Sequence, residues 1–465
     1  MARQQERWPG YLPTPTMNAV TDPTAPTPCD VLVIGGGPAG STVSAFLAQM
    51  GHHVVLLEKA RHPRFHIGES LLPANLPLLE TLGVAEEVKA IGMFKPGAEF
   101  YSPSHDRLER FSFADAWDKS MPHAWQVPRA AFDDILIRNA ERKGADVHQA
   151  CKVTGVEFQA ETSQTAASAT VHARHEDGRE QHWQARFVVD ASGRDTFLAN
   201  RFKIKERNPH HNSSAVYGHF RHAQRNEGAI EGNITVHWFD HGWFWFIPLA
   251  DGITSIGMVT WPYHMKSRGQ RSLEQFLLDN IAQSPKLQER LAAAELVSKV
   301  EATGNFSYIA RQCHGANHVM LGDAYAFIDP VFSSGVWLAM HSGLVGAQTI
   351  DTCLRQPRQA KSALKRFDRV MRHGPRAFSW IIYRMTNPIM RDLFMGPRNI
   401  FRVKEALLSV LAGDIFGKTP IWPSIMVFKT IYYAGNILQP RRAFAAWQRR
   451  RHNIRPVDDT ALYNA

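Results

Sequence analysis

A chain of 465 residues, 44% hydrophobic and 21% charged, is long enough for two or three packed layers and too apolar to be an unfolded polymer. Its four cysteines are scattered without a CxxC pair, which argues against a disulfide framework or a zinc site and favours buried thiols in the reducing cytoplasm. The formal charge of +10 suits an acidic carrier protein as partner, or simply a solvated surface; no nucleic-acid-binding module is present, so we expect no nucleic acid partner.

Residues 1–27 are polar and rich in proline and threonine, and they lack the apolar segment of a signal peptide. Such a composition cannot bury enough apolar surface to fold. We therefore expect a flexible tail and no secretory signal, with the packed part of the chain starting at residue 28.

The first packed segment predicts a strand, a glycine turn, a helix and a second strand. The turn reads Gly35-x-Gly37-x-x-Gly40, and the second strand ends at Glu58. In this setting Gly35 permits the tight turn, Gly37 lets the backbone approach a pyrophosphate, and Gly40 lets the helix lie close to the sheet. The helix N-terminus around Ala39 offers N–H groups to phosphates, and Glu58 would accept hydrogen bonds from a ribose. The pattern therefore predicts a dinucleotide site.

Further along, short strands are predicted across 150–190 and aromatic-rich strands across 213–260, and helices dominate from about residue 336 onward. The stretch 421–438 has the length to span a membrane but contains a proline, a lysine, two tyrosines and an asparagine. We expect a helix packed on the protein body there, and we do not expect membrane contact.

Three elements resemble the FAD-dependent aromatic-hydroxylase superfamily: Gly322-Asp323 after an apolar strand, Arg129 in an Arg-x-x-Phe-Asp element, and an Asp-Ala-Ser-Gly turn at 190–193. The resemblance implies FAD, with Gly322 and Asp323 at its ribityl chain and pyrophosphate and Arg129 near the flavin. It also implies an α/β fold with a Rossmann-type FAD-binding parallel sheet, an inserted mixed β-sheet substrate region and a C-terminal helical region. We expect the FAD-binding and substrate parts to interleave over 28–362, followed by a helical cap with a basic tail over 363–465.

Within that superfamily the chain is most similar to the flavin-dependent halogenases, over about residues 28–415. The similarity rests on Gly-Glu-Ser at 68–70 followed by Leu-Leu-Pro, on WFWFIP at 243–248, and on FIDPVFSSG at 327–335. It implies that reduced FAD and oxygen convert chloride or bromide to hypohalous acid, which halogenates an aromatic substrate kept away from the flavin. No second glycine fingerprint for a nicotinamide cofactor occurs, which agrees with a separate flavin reductase as partner.

The resemblance also implies roles for individual residues. Trp243 and Trp245 would form a bulky partition between flavin and substrate, although an all-apolar run is equally typical of a strand buried on both faces. The backbone amides of Ser334 and Gly335, ahead of a predicted helix, would hold the halide. Lys95 would guide the hypohalous acid, as a hydrogen-bond donor or as a chloramine, and both roles need a desolvated amine. An ordinary surface lysine is the alternative.

One position departs from the tryptophan-directed halogenases, which carry a glutamate two residues after the proline of the FIDPVFSSG run; here that residue is Phe332. The departure points to the phenol- and pyrrole-directed branch, because electron-rich rings tolerate a weaker electrophile and lose their proton with less help. The substrate would be free or tethered to an acidic carrier protein. His66 could act as an acid or a base, but a lone histidine is more often structural, so we leave it out of the catalytic set.

Three alternatives retain FAD. An aromatic hydroxylase would leave Lys95 and the two tryptophans without a catalytic role and would show no halide requirement. A flavin-dependent reductase of isoprenoid double bonds shares the fingerprint and the Gly-Asp element but has no need of the WFWFIP run. A non-catalytic basic scaffold would bind FAD structurally, and its reduced flavin would be inert to oxygen. None of these readings involves a metal.

Overall fold

The computed structural model describes residues 26–160, 168–209, 211–304 and 307–455. The predicted flexible tail therefore lies outside the described residues, apart from its last two positions. Thr27 is already the first residue of a strand and pairs with Trp183, so that strand begins one residue before the predicted boundary.

Strands fall into two large sheets and two small ones. In chain order the strands of the described residues are β1 (Thr27–Ile34), β2 (Val54–Glu58), β3 (Met93–Lys95), β4 (Gly97–Ser102), β5 (Arg107–Ser112), β6 (Ala124–Gln126), β7 (Asp146–Gln149), β8 (Cys151–Gln159), β9 (Ser168–His175), β10 (Glu180–Asp190), β11 (Lys205–Arg207), β12 (Ser214–Arg221), β13 (Ile234–Phe239), β14 (Gly242–Pro248), β15 (Ile253–Thr260), β16 (Glu295–Leu296), β17 (Glu301–Thr303), β18 (Tyr308–Ala310), β19 (His318–Met320) and β20 (Ala326–Phe327).

Helices cover the first sheet and form the C-terminal part of the chain. In the same order the α-helices of the described residues are α1 (Pro38–Gln49), α2 (Asn75–Leu82), α3 (Ala85–Ile91), α4 (Arg129–Arg142), α5 (Phe197–Arg201), α6 (Pro262–Lys266), α7 (Leu273–Ala282), α8 (Pro285–Arg290), α9 (Gly335–Arg355), α10 (Ala360–Ile382), α11 (Pro388–Met395), α12 (Val403–Ala412), α13 (Trp422–Leu438) and α14 (Pro440–Asn453).

The first sheet is the predicted Rossmann-type sheet. Its order is β7, β2, β1, β10, β9, β8, with β19 beside β10. β7, β2, β1, β10 and β19 are parallel, and β9 and β8 are antiparallel additions. β2 is buried along its whole length, as parallel strands covered by helices usually are. The carboxyl ends of β1, β2 and β19 lie at the same edge, which is where ligands bind in such sheets.

The second large sheet is the predicted mixed sheet on the substrate side. Its order is β16, β12, β15, β14, β13, β4, β5, with β17 beside β12. β13 and β4 run parallel, and the other neighbours run antiparallel. β14 lies in the centre, and all of its residues are buried. Trp243 and Trp245 belong to the main core, whereas Phe244 and Phe246 belong to a smaller core shared with α7, so the strand is buried on both faces.

Helices fill the chain from Gly335 onward, which confirms the predicted C-terminal helical region. The boundary expected between residues 362 and 363 falls inside α10, so a division there would cut a continuous helix. α13 buries Ser424, Ile425, Phe428 and Tyr432 and contacts α11, α12 and α14. The stretch 421–438 is therefore a helix packed on the body. Within the described ranges, no helix combines the length and the apolar character needed to cross a membrane.

Candidate active site

A cavity of about 790 Å³ lies between the two large sheets. It is of the size usual for ligand sites, and segments far apart in sequence line it. Nine of the predicted site residues lie on its wall: Gly35, Gly37, Ala39, Glu58, Arg129, Trp243, Trp245, Asp323 and Gly335. Four others, Lys95, Gly40, Gly322 and Ser334, lie behind that wall.

The glycine turn after β1 has the geometry that its spacing predicts. Gly35 has φ +102°, and a Cβ there would stand 2.5 Å from the Ala191 carbonyl oxygen. A Cβ at Gly40 would stand 1.8 Å from the Gly35 carbonyl oxygen, so α1 can lie this close to the sheet only with glycine. A Cβ at Gly37 would meet only the far end of Arg64, 3.7 Å away. Free space beside the backbone is thus found at Gly37, the position predicted to face a pyrophosphate.

Glu58, at the end of β2, is held by the backbone of its surroundings. Its carboxylate accepts hydrogen bonds from the N–H groups of Gly36 (2.7 Å) and Ala60 (2.9 Å). Arg64 lies 3.9 Å away, and the same arginine approaches Asp133 at 3.3 Å. Each carboxylate oxygen can accept more than one hydrogen bond, so Glu58 retains acceptor capacity toward the cavity.

Arg129, the first residue of α4, is buried against Asp133 one turn later. Its guanidinium donates to both carboxylate oxygens, at 2.9 and 3.1 Å, and to the carbonyl oxygens of Ile67 (2.7 Å) and Gly68 (3.2 Å). Burial alone would raise the pKa of Asp133, but the charge of Arg129 outweighs it and holds that pKa below its usual range. The pair therefore stays ionised and fixes the loop before the Gly-Glu-Ser element in the cavity wall.

Asp323 follows β19, is partly buried and lines the cavity, and the charges that stabilise its carboxylate come from nearby arginines. Burial raises the pKa of Asp323 to about 6, and Arg194 and Arg129 partly oppose the shift. The preceding Gly322 has φ +51° and donates its N–H to Ser342 of α9 at 3.0 Å. Arg194, in the turn after β10, also lines the cavity and donates to the Gly304 carbonyl oxygen at 2.5 Å.

These features fit FAD. The open space at Gly37 lies at the N-terminus of α1, whose first N–H groups have no partner within the helix and suit a pyrophosphate. Glu58 stands at the end of the neighbouring strand, where a ribose would be bound. Asp323 and Arg129 lie further along the same cavity. No group of three or more histidine, cysteine or acidic side chains in the described part of the chain could hold a metal ion.

The segment from Asp329 to Gly335 forms another part of the wall. Asp329 is buried and accepts hydrogen bonds from His211 (2.8 Å) and Ser213 (3.0 Å) through one carboxylate oxygen. Ser333 has the left-handed φ of +57°, and Ser334 precedes α9 with its hydroxyl buried. A Cβ at Gly335 would have no atom within 4 Å. The start of α9 therefore faces free space at Gly335, while Ser334 turns away from it.

Trp243 and Trp245 form the wall on the side of the mixed sheet. The Trp245 indole N–H donates to Ser255 at 3.1 Å, and its ring lies so close to Gly257 that a Cβ there would stand 2.0 Å from it. Trp243 also lines a second, small cavity of about 20 Å³, together with Tyr383 and residues near the end of α14. Trp243 thus separates the large cavity from the C-terminal helices.

Lys95, at the end of β3, is completely buried. Its ammonium group donates to the Ser70 hydroxyl oxygen and to the Leu71 carbonyl oxygen, both at 2.8 Å, and lies 5.4 Å from the centre of the Phe113 ring. Burial lowers the pKa of Lys95 to about 7. The surface-lysine alternative is wrong, because the side chain is 1% exposed. Lys95 does not line the cavity, but Ser70 does.

Glu69 of the cavity wall pairs with a histidine that was not predicted to lie beside it. Glu69 is buried and accepts a hydrogen bond from His219 of β12 at 2.6 Å, while its other carboxylate oxygen has no partner within the described residues. Burial alone would lower the pKa of His219, but Glu69 outweighs it and raises that pKa. The pair is 150 residues apart, and no local pattern connects the two. For Glu69, the Gly-Glu-Ser element was the one feature of the sequence that could have indicated a place in the site.

His66 also faces the cavity, and its ring is held by its own neighbour. One ring nitrogen donates to the Ile67 carbonyl oxygen at 2.7 Å. Burial, followed by the charge of Arg129, lowers the pKa of His66 to about 4. The ring is therefore neutral near pH 7, as expected of a structural histidine.

Comparison with known proteins agrees with this geometry. Residues 28–356 match the family model for the FAD binding domain, so the chain is an FAD-binding flavoprotein. Tryptophan 2-halogenase of Chondromyces crocatus is 35% identical over 348 residues, which are 74% of this chain and 65% of that protein. The 1H-pyrrole-2-carbonyl-peptidyl-carrier-protein chlorinase of Pseudomonas fluorescens is 30% identical over 413 residues, covering 83% of this chain and 89% of that protein.

The solved structure of the myxobacterial chondrochloren halogenase CndH superposes with a TM-score of 0.73 at 34% identity, over 86% of this chain and 93% of that one. The chain belongs to the flavin-dependent halogenase family, whose members are FAD-dependent oxidoreductases. It spans slightly under two thirds of the length of the Chondromyces relative. The relatives' names include both tryptophan and a carrier-bound pyrrole, so they do not identify one branch of the family.

Proposed function

We propose that this protein halogenates an electron-rich aromatic ring, a phenol or a pyrrole, with hypohalous acid that Lys95 guides to the substrate. The overall change is FADH2, O2, a halide ion and a proton giving FAD, hypohalous acid and water. Hypohalous acid and the aromatic C–H then give the aryl halide and a second water. The supporting observation is that one cavity is lined by the glycine turn with Glu58, by the two tryptophans and by the start of α9. Lys95 lies directly behind the wall of this cavity, in contact with Ser70.

Bound reduced FAD would supply, with oxygen, the two-electron oxidation of the halide. Gly35, Gly37 and Ala39 would hold its pyrophosphate, Glu58 its ribose, and Asp323 and Arg129 its flavin-side half. Gly40 and Gly322 would act through the backbone geometry that they allow. The backbone amide of Gly335 would hold the halide, since it faces free space at a helix start, and Ser334 would contribute only its main chain.

Lys95 would act through Ser70. The Lys95 ammonium donates to the Ser70 hydroxyl oxygen, so the hydroxyl hydrogen of Ser70 remains able to donate to a molecule in the cavity. A buried ammonium polarises such a bond more strongly than one in water. Ser70 would therefore hold the oxygen of hypohalous acid on the wall and prevent its escape, while Trp243 and Trp245 keep the organic substrate away from the flavin.

The substrate class follows from Phe332 and from one relative. Phe332 is buried and stacks on Phe394 at 6.3 Å, so this position offers no carboxylate to assist loss of the ring proton. An electron-rich ring tolerates that absence. The Pseudomonas relative is named for a carrier-bound pyrrole, which supports an acidic carrier protein as one form of delivery. A separate flavin reductase and a cytoplasmic location complete the proposal; the four cysteines are free thiols.

The test needs no knowledge of the natural substrate. The bound FAD is reduced with light and without NADPH, oxygen is admitted with or without bromide or chloride, and hypohalous acid is collected with a β-diketone trap in the presence of catalase. We expect the trap to be halogenated only with halide. Hydrogen peroxide formed equally with and without halide, measured in a parallel sample lacking catalase, together with an unmodified trap, would contradict halogenation.

That contrary result would favour an aromatic hydroxylase. One observation gives this second candidate weight: Lys95 does not itself line the cavity. In a hydroxylase Lys95 would be a core residue, and Trp243 and Trp245 would only close the sheet. Screening phenols for hydroxylated products under the same conditions would then identify the reaction.

A further inference from the structure

The most exposed large apolar side chains of the described residues are concentrated at the C-terminal end. Ile437 is 77% exposed and Leu438 is 80% exposed at the end of α13, and Phe401 is 74% exposed. Phe444 and Trp447, one turn apart on α14, are also exposed and stack on each other at 5.7 Å. Isolated exposed apolar residues are normal, but such a concentration on adjoining helices marks a binding surface.

Along α13 these residues form one stripe. Met426, Tyr433 and Ile437 recur at helical spacing on the side opposite the buried Ile425, Phe428 and Tyr432. Phe401 adjoins the first turn of the helix, because its carbonyl oxygen accepts a hydrogen bond from Ser424 at 2.8 Å. The stripe from Met426 to Ile437 runs about 16 Å along the helix.

The charge of this region has one sign. Between Asp414 and Asp458 the sequence contains eight lysines and arginines and no acidic residue. On α14, Arg451 lies over the Trp447 ring at 4.8 Å, so cationic and apolar groups share one face. Among the ion pairs of the described residues, the acidic partner of an α14 arginine is Asp392 of α11, which pairs with Arg442 at 2.9 Å.

We propose that this face, formed by α13, α14 and Phe401, binds the surface of an anionic lipid membrane. Aromatic and aliphatic side chains beside arginines are the composition of helices that lie in the lipid interface. Side chains that protrude from helix ends can enter the hydrocarbon without a matching pocket, and the cationic groups would meet anionic headgroups. A second copy of the chain would bring cationic faces together, which disfavours a symmetric dimer here.

An acidic carrier protein is the competing occupant. It would satisfy the arginines, but it would need pockets for Ile437 and Leu438, whose side chains stand almost wholly exposed at the end of α13. A membrane needs no such pockets. The proposal is independent of the proposed reaction, because membrane binding requires no turnover.

The test is flotation of the FAD-loaded full chain with vesicles of phosphatidylcholine alone and of an equimolar mixture of phosphatidylcholine and phosphatidylglycerol. We expect binding to the mixed vesicles, little binding to phosphatidylcholine, and release at high salt. The double variant Ile437→Ser/Leu438→Ser should bind at least about tenfold more weakly. Arg441→Gln and Arg451→Gln should each reduce binding by about fivefold.

Leu278→Ser/Val297→Ser is the matched control, because it removes two exposed apolar side chains elsewhere on the surface. Its binding should equal that of the unmodified chain, and the FAD absorption spectrum should be normal in all variants. No binding to mixed vesicles, or equal losses in the control and the Ile437/Leu438 variant, would overturn the proposal. The proposal would also be overturned if the Ile437/Leu438 substitutions left vesicle binding intact but abolished a dimer seen in light scattering. The same holds if they abolished a complex with an acidic carrier protein instead.

Discussion

The two sides of the cavity wall are built in different ways. On the side of the glycine turn, Gly35 and Gly40 let backbone segments approach each other, as the 1.8 Å that would separate a Gly40 Cβ from the Gly35 carbonyl oxygen illustrates. On the other side, a buried lysine is held by a serine hydroxyl and a carbonyl oxygen from a segment more than twenty residues away. The first side depends on the absence of side chains, and the second depends on polar side-chain contacts. The two sides should therefore fail in different ways when they are altered.

The largest expected effect is at Gly40. Gly40→Ala places a Cβ against backbone that cannot move without separating α1 from β1, so we expect little folded protein. Gly37→Ala is the matched substitution, since its Cβ would meet only the end of Arg64. That variant should fold normally but bind FAD about tenfold more weakly, because the methyl group occupies the space beside the backbone. Thermal unfolding and FAD titration measure both effects. A normally folded Gly40→Ala protein would contradict the requirement for glycine at this contact.

Lys95→Met comes next and alters only the other side. We expect FAD binding to be unchanged and product halogenation to fall by about a thousandfold, the size typical of losing a positioned proton donor. Lys89→Met removes an exposed lysine that pairs with Glu86 and serves as control, with full activity expected. Retained halogenation in Lys95→Met would remove Lys95 from the mechanism and would mean that its contacts serve only the packing of the core.

The pH dependence distinguishes the two roles considered for Lys95. With a pKa of about 7, the ammonium form predominates below that pH and the amine above it. Because Lys95 contacts only acceptors, we expect it to act as a donor, so the rate should fall about tenfold per pH unit above pH 7. A rate that instead rises through pH 7 would favour the chloramine role.

The same pKa affects stability. Since the folded pKa lies below the unfolded value of about 10.4, the unfolded chain binds more protons between these values and stability rises with pH there. Relative to Lys95→Met, the unmodified chain should gain about 1.4 kcal/mol per pH unit from pH 7 toward pH 10. Urea unfolding of both proteins at several pH values measures it, and a constant difference would contradict a buried, titrating Lys95.

Ser70→Ala has the smallest expected effect. It removes one of the two acceptors of Lys95 and leaves the Leu71 carbonyl oxygen, so the ammonium can then donate directly into the space that the hydroxyl occupied. We therefore expect only about a tenfold loss of halogenation, with FAD binding intact. The midpoint of the pH–rate profile should also move to lower pH, because the ammonium loses a hydrogen bond that stabilises it. Ser70→Thr keeps the hydroxyl and should restore both. A rate loss without movement of the midpoint would indicate a structural role alone.

The sequence predicted the side of the glycine turn more fully than the side of Lys95, and the reason is physical. A glycine turn after a strand acts through backbone geometry that is local in sequence, so Gly35, Gly37 and Gly40 could be interpreted from spacing alone. The contact of Glu69 with His219 joins β-strand and loop across 150 residues, and no periodicity encodes it. The glycine at position 257 could not be interpreted from the sequence either. A side chain is excluded there because the Trp245 ring occupies the space, and only the structure shows the position of that ring.

The position of Trp243 between two cavities links the C-terminal helices to the wall of the large cavity. Its indole faces the large cavity on one side and, on the other, a small cavity partly lined by Ile382, Tyr383 and Asn453. Those three residues lie beyond residue 356, where the match to the FAD binding domain ends. Mutations near the chain terminus can therefore alter the surroundings of this indole without touching a single FAD-facing residue. For directed evolution, the last hundred residues form a library target in which selectivity can be diversified while cofactor loading is left undisturbed.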